Sequence, residues 1–186
     1  MKKTLLKGDL VTLRAPEPAD IEILYTWEND PSVWDYSNTL IPFSRFQIEE
    51  YILASGQDIF STRQLRLMID FPNEVGMPAP IGTLDIFEFD PVNQRAGVGI
   101  LICEPHRKQG CAFDALSVLI RYAFTKLPLH QLFCNIAEDN EASIRLFEKA
   151  GFKKCGMRKD WIRREQGWAI EIQFQLIREE HAYDDH

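Results

Sequence analysis

RAGVGILICEPHRKQGCA, residues 95–112, holds the decisive transition in this chain. Its first half reads as a strand running to Cys103 and stopped by Pro105. Its second half turns through Arg107-Lys108-Gln109-Gly110 and opens a helix at Cys111 and Ala112. The first N–H groups of a helix lack partners within it, and the helix dipole puts partial positive charge there. Gly110 lets a phosphate reach the backbone, Ala112 keeps the next turn small, and Arg107 and Lys108 add charge. These are the physical elements of a pyrophosphate cradle. The stretch is not a P-loop, which needs GxxxxGK[ST], and the GxGxxG dinucleotide fingerprint is absent.

Working outward, Gly110–Lys126 keeps an apolar stripe at helical spacing through Ala115, Leu116, Leu119, Tyr122 and Ala123. Leu127-Pro128 stops it. Gln131–Ala137 predicts a strand. Asn140–Ala150 predicts a helix, with Asn140 as N-cap and Gly151 just past its end. Phe152–Arg163 and Trp168–Ile177 predict two closing strands, and residues 179–186 a polar, fraying tail. Upstream, Arg63–Phe71, Ile81–Phe89 and Gln94–Cys103 sit on short linkers and predict an antiparallel meander. Leu10–Arg14 predicts a first strand. A helix follows over Pro16–Glu28, broken by Asn29-Asp30-Pro31, and a second over Ser44–Ala54, capped by Ser44. Between them lies an aromatic loop, 32–42, with Trp34 and Tyr36; it packs on the core or walls a substrate pocket.

The 186 residues, 45% apolar and 26% charged, fit one globular domain over residues 9–178. No apolar run approaches the length of a membrane span, and no apolar core precedes Gly8, so neither a membrane anchor nor a secretory signal is expected. Cys103, Cys111, Cys134 and Cys155 show no CxxC spacing and read as reduced thiols of a cytoplasmic protein. The net charge of −7 argues against a nucleic-acid partner. Residues 1–94 hold 7 basic and 15 acidic side chains, whereas residues 95–186 hold 14 and 13. The acidic half suits a cationic ligand, or is simply solvated surface. No histidine pair has HxxxH or HExxH spacing, so no metal is expected. Cys103 and His106 lie close in sequence, but no acid orients them as a nucleophilic pair.

A second element follows the cradle. Asn140-x-x-Ser143 opens the next helix, and Glu148-Lys149-x-Gly151-Phe152 ends it. Together with Arg107-x-x-Gly110-x-Ala112, this pair resembles the GCN5-related N-acetyltransferase (GNAT) superfamily. The opening Val11-Thr12-Leu13-Arg14, Asp20 and Asn29-Asp30-Pro31 resemble its branch of spermidine and ribosomal-protein N-terminal acetyltransferases. The resemblance covers about residues 9–178. It implies an α+β GNAT fold: a mixed, mostly antiparallel sheet of about seven strands flanked by about four helices. It also implies acetyl transfer from acetyl-CoA to a primary amine of a polyamine, small amine or peptide, by direct attack in a ternary complex.

Carried over residue by residue, the resemblance implies that Ile100, Leu101 and Ile102 hold the pantetheine arm and that their amides polarise the thioester. Arg107, Lys108, Gln109, Gly110, Cys111 and Ala112 would take the pyrophosphate. Asn140 and Ser143 would touch the arm or its sulfur, with Phe147 and Lys149 beside it. Two departures stand out. Many members carry a tyrosine acid where this chain has Phe147, so the leaving thiolate is protonated by Ser143, by water, or not at all. Lys108 occupies a slot usually glycine-like, which is tolerable with a negative φ. The attacking amine must also lose a proton, and Asp85, Glu88 and Glu104 are candidate bases or merely solvated charges. Alternation sets Asp85 and Phe87 on the face opposite Glu88 and Ile86. A non-catalytic acyl-CoA sensor on the same fold is the alternative, motivated by Phe147. The closing strands are a candidate interface between copies of the chain.

Overall fold

The computed structural model describes residues 5–37, 39–54, 56–73 and 75–180. Its centre is a seven-stranded sheet in the order β1-β2-β3-β4-β5-β7-β6. The strands are β1 (Thr12–Arg14), β2 (Leu65–Pro72), β3 (Pro78–Asp90), β4 (Arg95–Ile102), β5 (Gln131–Ala137), β6 (Lys153–Arg164) and β7 (Gly167–Ile177). All neighbours pair antiparallel except β4 and β5, which are parallel and joined by a helical crossover. The expected meander, crossover and closing hairpin are all present.

The sheet carries helices on both faces. Leu65, Leu67 and Ile69 of β2 join the main core with α5 (Cys111–Lys126), whose Ala115, Leu116, Leu119 and Ala123 are buried against it. Met68, on the opposite face of β2, packs with Leu24 of α1 (Ile21–Glu28) and with Ile48 and Ile52 of α3 (Arg45–Ala54). Ser44 caps α3 as expected: its Oγ accepts from the Gln47 N–H at 3.2 Å, and Gln47 Oε1 accepts from the Ser44 N–H at 2.8 Å. Arg14 locks β1 to this layer, donating to both oxygens of buried Asp20 at 2.7 and 2.9 Å and to Asp70 at 2.7 Å.

Three details depart from the sequence reading. The aromatic segment is not a plain loop, because Pro31–Ser37 forms a helix, α2. The Asn-Asp-Pro triplet that ends α1 also starts α2: Asp30 Oδ1 accepts from the Ser32 N–H at 2.9 Å, and Pro31 needs no partner for a missing N–H. Trp34 Nε1 then ties α2 back to the Glu28 carbonyl at 2.7 Å. A single further turn, α4 (Ile59–Thr62), was not foreseen. In β3 the alternation breaks: the register with β4 shifts between Phe87 and Asp90, and Glu88 has a φ of +49°. The bulge brings Phe89 rather than Glu88 to the position following Ile86, and Phe89 is buried while Glu88 is exposed. The tail expected to fray over 179–186 instead begins inside a 3-10 turn, Arg178–Glu180, and residues 181–186 lie outside the described residues. Among the described residues, no helix is long and apolar enough to cross a membrane.

Candidate active site

The parallel ladder between β4 and β5 is short. It pairs Arg95 with Gln131, Ala96 with Leu132 and Gly97 with Phe133, and then stops. Both strands continue: β4 stays paired to β3 as far as Ile102, and β5 to β7 as far as Ala137. The centre of the sheet therefore opens. Beyond Gly97 and Phe133, one edge of each strand faces a gap, so its N–H and C=O groups are free to pair with an extended ligand. A cavity of about 150 Å³ occupies the gap. Val98, Gly99 and Ile100 line one side and Cys134 to Ala137 the other. Asn140, Ser143 and Phe147 come from α6 (Glu141–Lys149), and Ile162 and Glu171 from the β6–β7 hairpin.

The loop that leaves β4 is built as the sequence implied, with one correction. Gly110, at the start of α5, has a φ of +84°, the left-handed region that favours glycine. No side chain caps α5 there. The acid of its first turn, Asp114, accepts from the backbone N–H groups of Asp9, Leu10 and Val11 at 3.1, 2.8 and 2.9 Å. Arg107 Nε donates to the Ile102 carbonyl at 2.9 Å, pinning the loop to the end of β4, and Gln109 Nε2 donates to the Pro105 carbonyl at 2.9 Å. Lys108, expected with a negative φ, has +62°. Two left-handed residues within three positions curl the backbone into a concave turn, and a lysine is tolerated there at a strain cost on the order of 1 kcal/mol. Cys111 is buried in this turn, and burial pushes its thiol up, as it does for Cys103. Neither is an activated thiolate.

On α6, Asn140 Oδ1 accepts from the Ser143 N–H at 3.2 Å, the expected cap. The Ser143 side chain is half-buried at the gap, and its hydroxyl makes no hydrogen bond among the described residues. Phe147 is buried, its ring edge-on to Phe152 at 5.0 Å. Lys149 lies over the Phe113 ring, with Nζ 4.3 Å from its centroid.

The gap gathers Ile100, Asn140, Ser143 and Phe147, but none of the three acids considered as bases. Asp85 belongs to a separate cluster. Arg66 donates to its two oxygens at 2.7 and 3.2 Å and also pairs with Glu28. Burial disfavours the Arg66 charge, but Asp85 and Glu28 outweigh it and hold the guanidinium firmly protonated. Its carbon lies 5.0 Å from the centroid of the Tyr51 ring, whose hydroxyl burial pushes up to about 12. Glu88 and Glu104 are exposed. The carboxylate that does line the gap is Glu171, which the sequence reading passed over. Its signal was present: a single acid in the otherwise apolar run Trp168-Ala169-Ile170-Glu171-Ile172.

Residues 11–153 match the family profile described as the acetyltransferase (GNAT) domain. The chain belongs to the GNAT family. This GNAT chain is 28% identical over 181 residues to the uncharacterized N-acetyltransferase p20 of Bacillus licheniformis, covering 95% of this chain and 98% of p20. It is 25% identical over 147 residues to the spermidine N(1)-acetyltransferase of Vibrio cholerae, covering 78% and 80% of the two chains. Its fold superposes on a crystal structure of the Vibrio cholerae spermidine N-acetyltransferase in complex with CoA and spermine. The TM-score is 0.81 at 20% identity, over 93% of this chain and 98% of that one. The GNAT chain is accordingly an N-acetyltransferase, with acetyl-CoA as its co-substrate.

Proposed function

We propose that this GNAT enzyme acetylates a primary amine on a cationic acceptor (a polyamine, a small amine or a peptide N-terminus) by direct attack in a ternary complex. The observation that carries the proposal is the opened β4–β5 ladder leading into the Arg107–Ala112 turn. The free edge of Val98–Ile102 offers N–H and C=O groups to the amides of a pantetheine arm. The uncapped start of α5 offers N–H groups and dipole to a pyrophosphate. With the arm so held, a β4 N–H pointing into the gap stabilises the oxyanion that develops on the thioester carbonyl. The amine nitrogen forms the new N–C bond, the C–S bond breaks, and the thiolate takes a proton. We assign that proton to the Ser143 hydroxyl, since Phe147 has none to give. The acidic excess of residues 1–94 supports a cationic acceptor. Four free cysteines support a reducing compartment, hence the cytoplasm.

The test is release of free CoA from acetyl-CoA with a panel of spermidine, diamines, aminoglycosides and short peptides. The proposal expects saturable release with one amine class, matched one-to-one by acetylated amine. Folded protein that binds CoA but releases none above hydrolysis with any member would favour the acyl-CoA sensor instead.

A further inference from the structure

The β6–β7 hairpin brings a buried carboxylate to the acetyl-transfer gap. Glu171 is 7% exposed and lines the cavity with Ser143 and Asn140. Its Cα pairs with Ala137, at the end of the β5 edge that forms the gap wall. The neighbouring backbone is stitched to the loop before α6: the Ile170 N–H donates to Glu138 Oε1 at 2.9 Å, and the Glu138 N–H to the Ile170 carbonyl at 2.9 Å. One Glu171 oxygen is committed, since Oε1 accepts from Arg158 Nη1 at 2.8 Å. The other, Oε2, takes no hydrogen bond among the described residues, and Glu171 is the only acid on the cavity lining. Oε2 is not among the buried polar atoms left without a partner, so it stays accessible, and a carboxylate held by one oxygen and open at the other is placed to accept a hydrogen bond from a cationic ligand in the cavity.

We infer that Glu171 is a catalytic residue of the acetyl transfer: it holds the acceptor nitrogen and takes the proton whose loss lets the N–C bond form. The acceptor enters as an ammonium, and a hydrogen bond to Oε2 aims its nitrogen. One N–H proton passes to Oε2, which frees the lone pair that forms the N–C bond to the thioester carbon. The C–S bond then breaks, the thiolate accepts the Ser143 proton, Ser143 is reprotonated by the second N–H proton that the adduct's nitrogen sheds as the amide forms, and the carboxylic acid formed at Glu171 returns its proton to solvent. Charge and atoms balance as ammonium plus acetyl-CoA giving amide, CoA thiol and one released proton. Arg158 is a positioning residue. It grips Oε1 from a side chain that is partly exposed and stacked over Trp161, with its guanidinium carbon 4.7 Å from the ring centroid.

The inference rests on the acetyl-transfer reading of the gap, and the experiment separates the two. Wild-type protein is first assayed for amine-dependent CoA release; failure there overturns the reading itself. With activity in hand, Glu171→Gln is expected to lower kcat by about 10²-fold or more, the usual worth of a proton acceptor. Its acetyl-CoA Kd by calorimetry should stay within about twofold of wild type, which also reports a folded site. Arg158→Met keeps the carboxylate and should lose less than about tenfold in kcat. Glu171→Ala should regain turnover with added formate. Equal losses in Glu171→Gln and Arg158→Met with no formate rescue would reduce Glu171 to half of a structural ion pair and overturn the inference. Undiminished kcat in Glu171→Gln would overturn it as well.

Discussion

Replacing Gly110 by alanine tests the cradle directly. At a φ of +84° an L-residue pays about 1–2 kcal/mol, whereas sterics add little: a Cβ would meet only Leu10 Cδ1 at 3.4 Å, on a side chain free to give way. Conformation, not crowding, therefore sets the magnitude. The variant loop either keeps its shape, with the cost appearing as lost stability, or relaxes and swings its N–H groups out of the turn. In the second case, re-forming the cradle on binding takes up to that 1–2 kcal/mol, a loss of about 5–30-fold in affinity for acetyl-CoA. Gly76→Ala is the control. Gly76 has a φ of +77° with nothing within 4 Å of a Cβ, and it sits in the β2–β3 turn. It should cost similar stability and no acetyl-CoA affinity. The assay is kcat/KM for acetyl-CoA against S-acetyl-pantetheine, which lacks the pyrophosphate. Gly110→Ala should lower the first and spare the second. Equal effects on both substrates, or identical behaviour of the two alanine variants toward acetyl-CoA, would refute the reasoning.

Ser143→Ala should lower kcat by about 10²-fold while the acetyl-CoA Kd changes less than twofold; unchanged turnover would release Ser143 from the role of acid. Arg14→Met leaves buried Asp20 without its cationic partner and should cost about 3–5 kcal/mol by urea unfolding at pH 7. Burial pushes the Asp20 carboxyl up, but the hydrogen bonds from Arg14 and from the Glu17 N–H outweigh it and hold it below its ordinary value. A depressed folded value means stability that is full above the ordinary carboxylate range and lost as pH falls through the folded value. Wild-type melting temperature should thus drop below about pH 4, and the drop should shrink in Arg14→Met. With a thiol reagent at pH 8, Cys155 should react fast and half-buried Cys103 slowly. Cys134, whose thiol burial pushes far up, and Cys111 should react only after unfolding; two fast thiols in the native protein would contradict this.

Local patterns carried most of the architecture into the sequence. Alternation gave β2, apolar runs between turn residues gave β4, β5 and β7, and the 3.6-residue stripe gave α5, because each element has to present apolar side chains to the same core. α2 escaped because Asp30-Pro31 both ends one helix and begins the next, and the same residues signal either event. The loop from Arg107 to Ala112 was legible because glycine and helix-start chemistry are local. The gap it serves was not, because it depends on where a ladder between two strands 36 residues apart stops pairing. Glu171 was hidden for the same reason: its strand reads as core, and only the β5–β7 register brings it beside Ala137. Asp85 looked like a base because it is an acid set in a largely apolar strand, but Arg66, distant in sequence, engages both of its oxygens.

The central claim is that the open edges of β4 and β5, with the turn after β4, hold acetyl-CoA. Backbone hydrogen exchange with and without saturating CoA tests it most directly. The account predicts slowed exchange in peptides spanning 98–102, 108–114 and 134–137, with β1 and the outer strand β6 unchanged. Tight CoA binding with no protection in those three segments would contradict it.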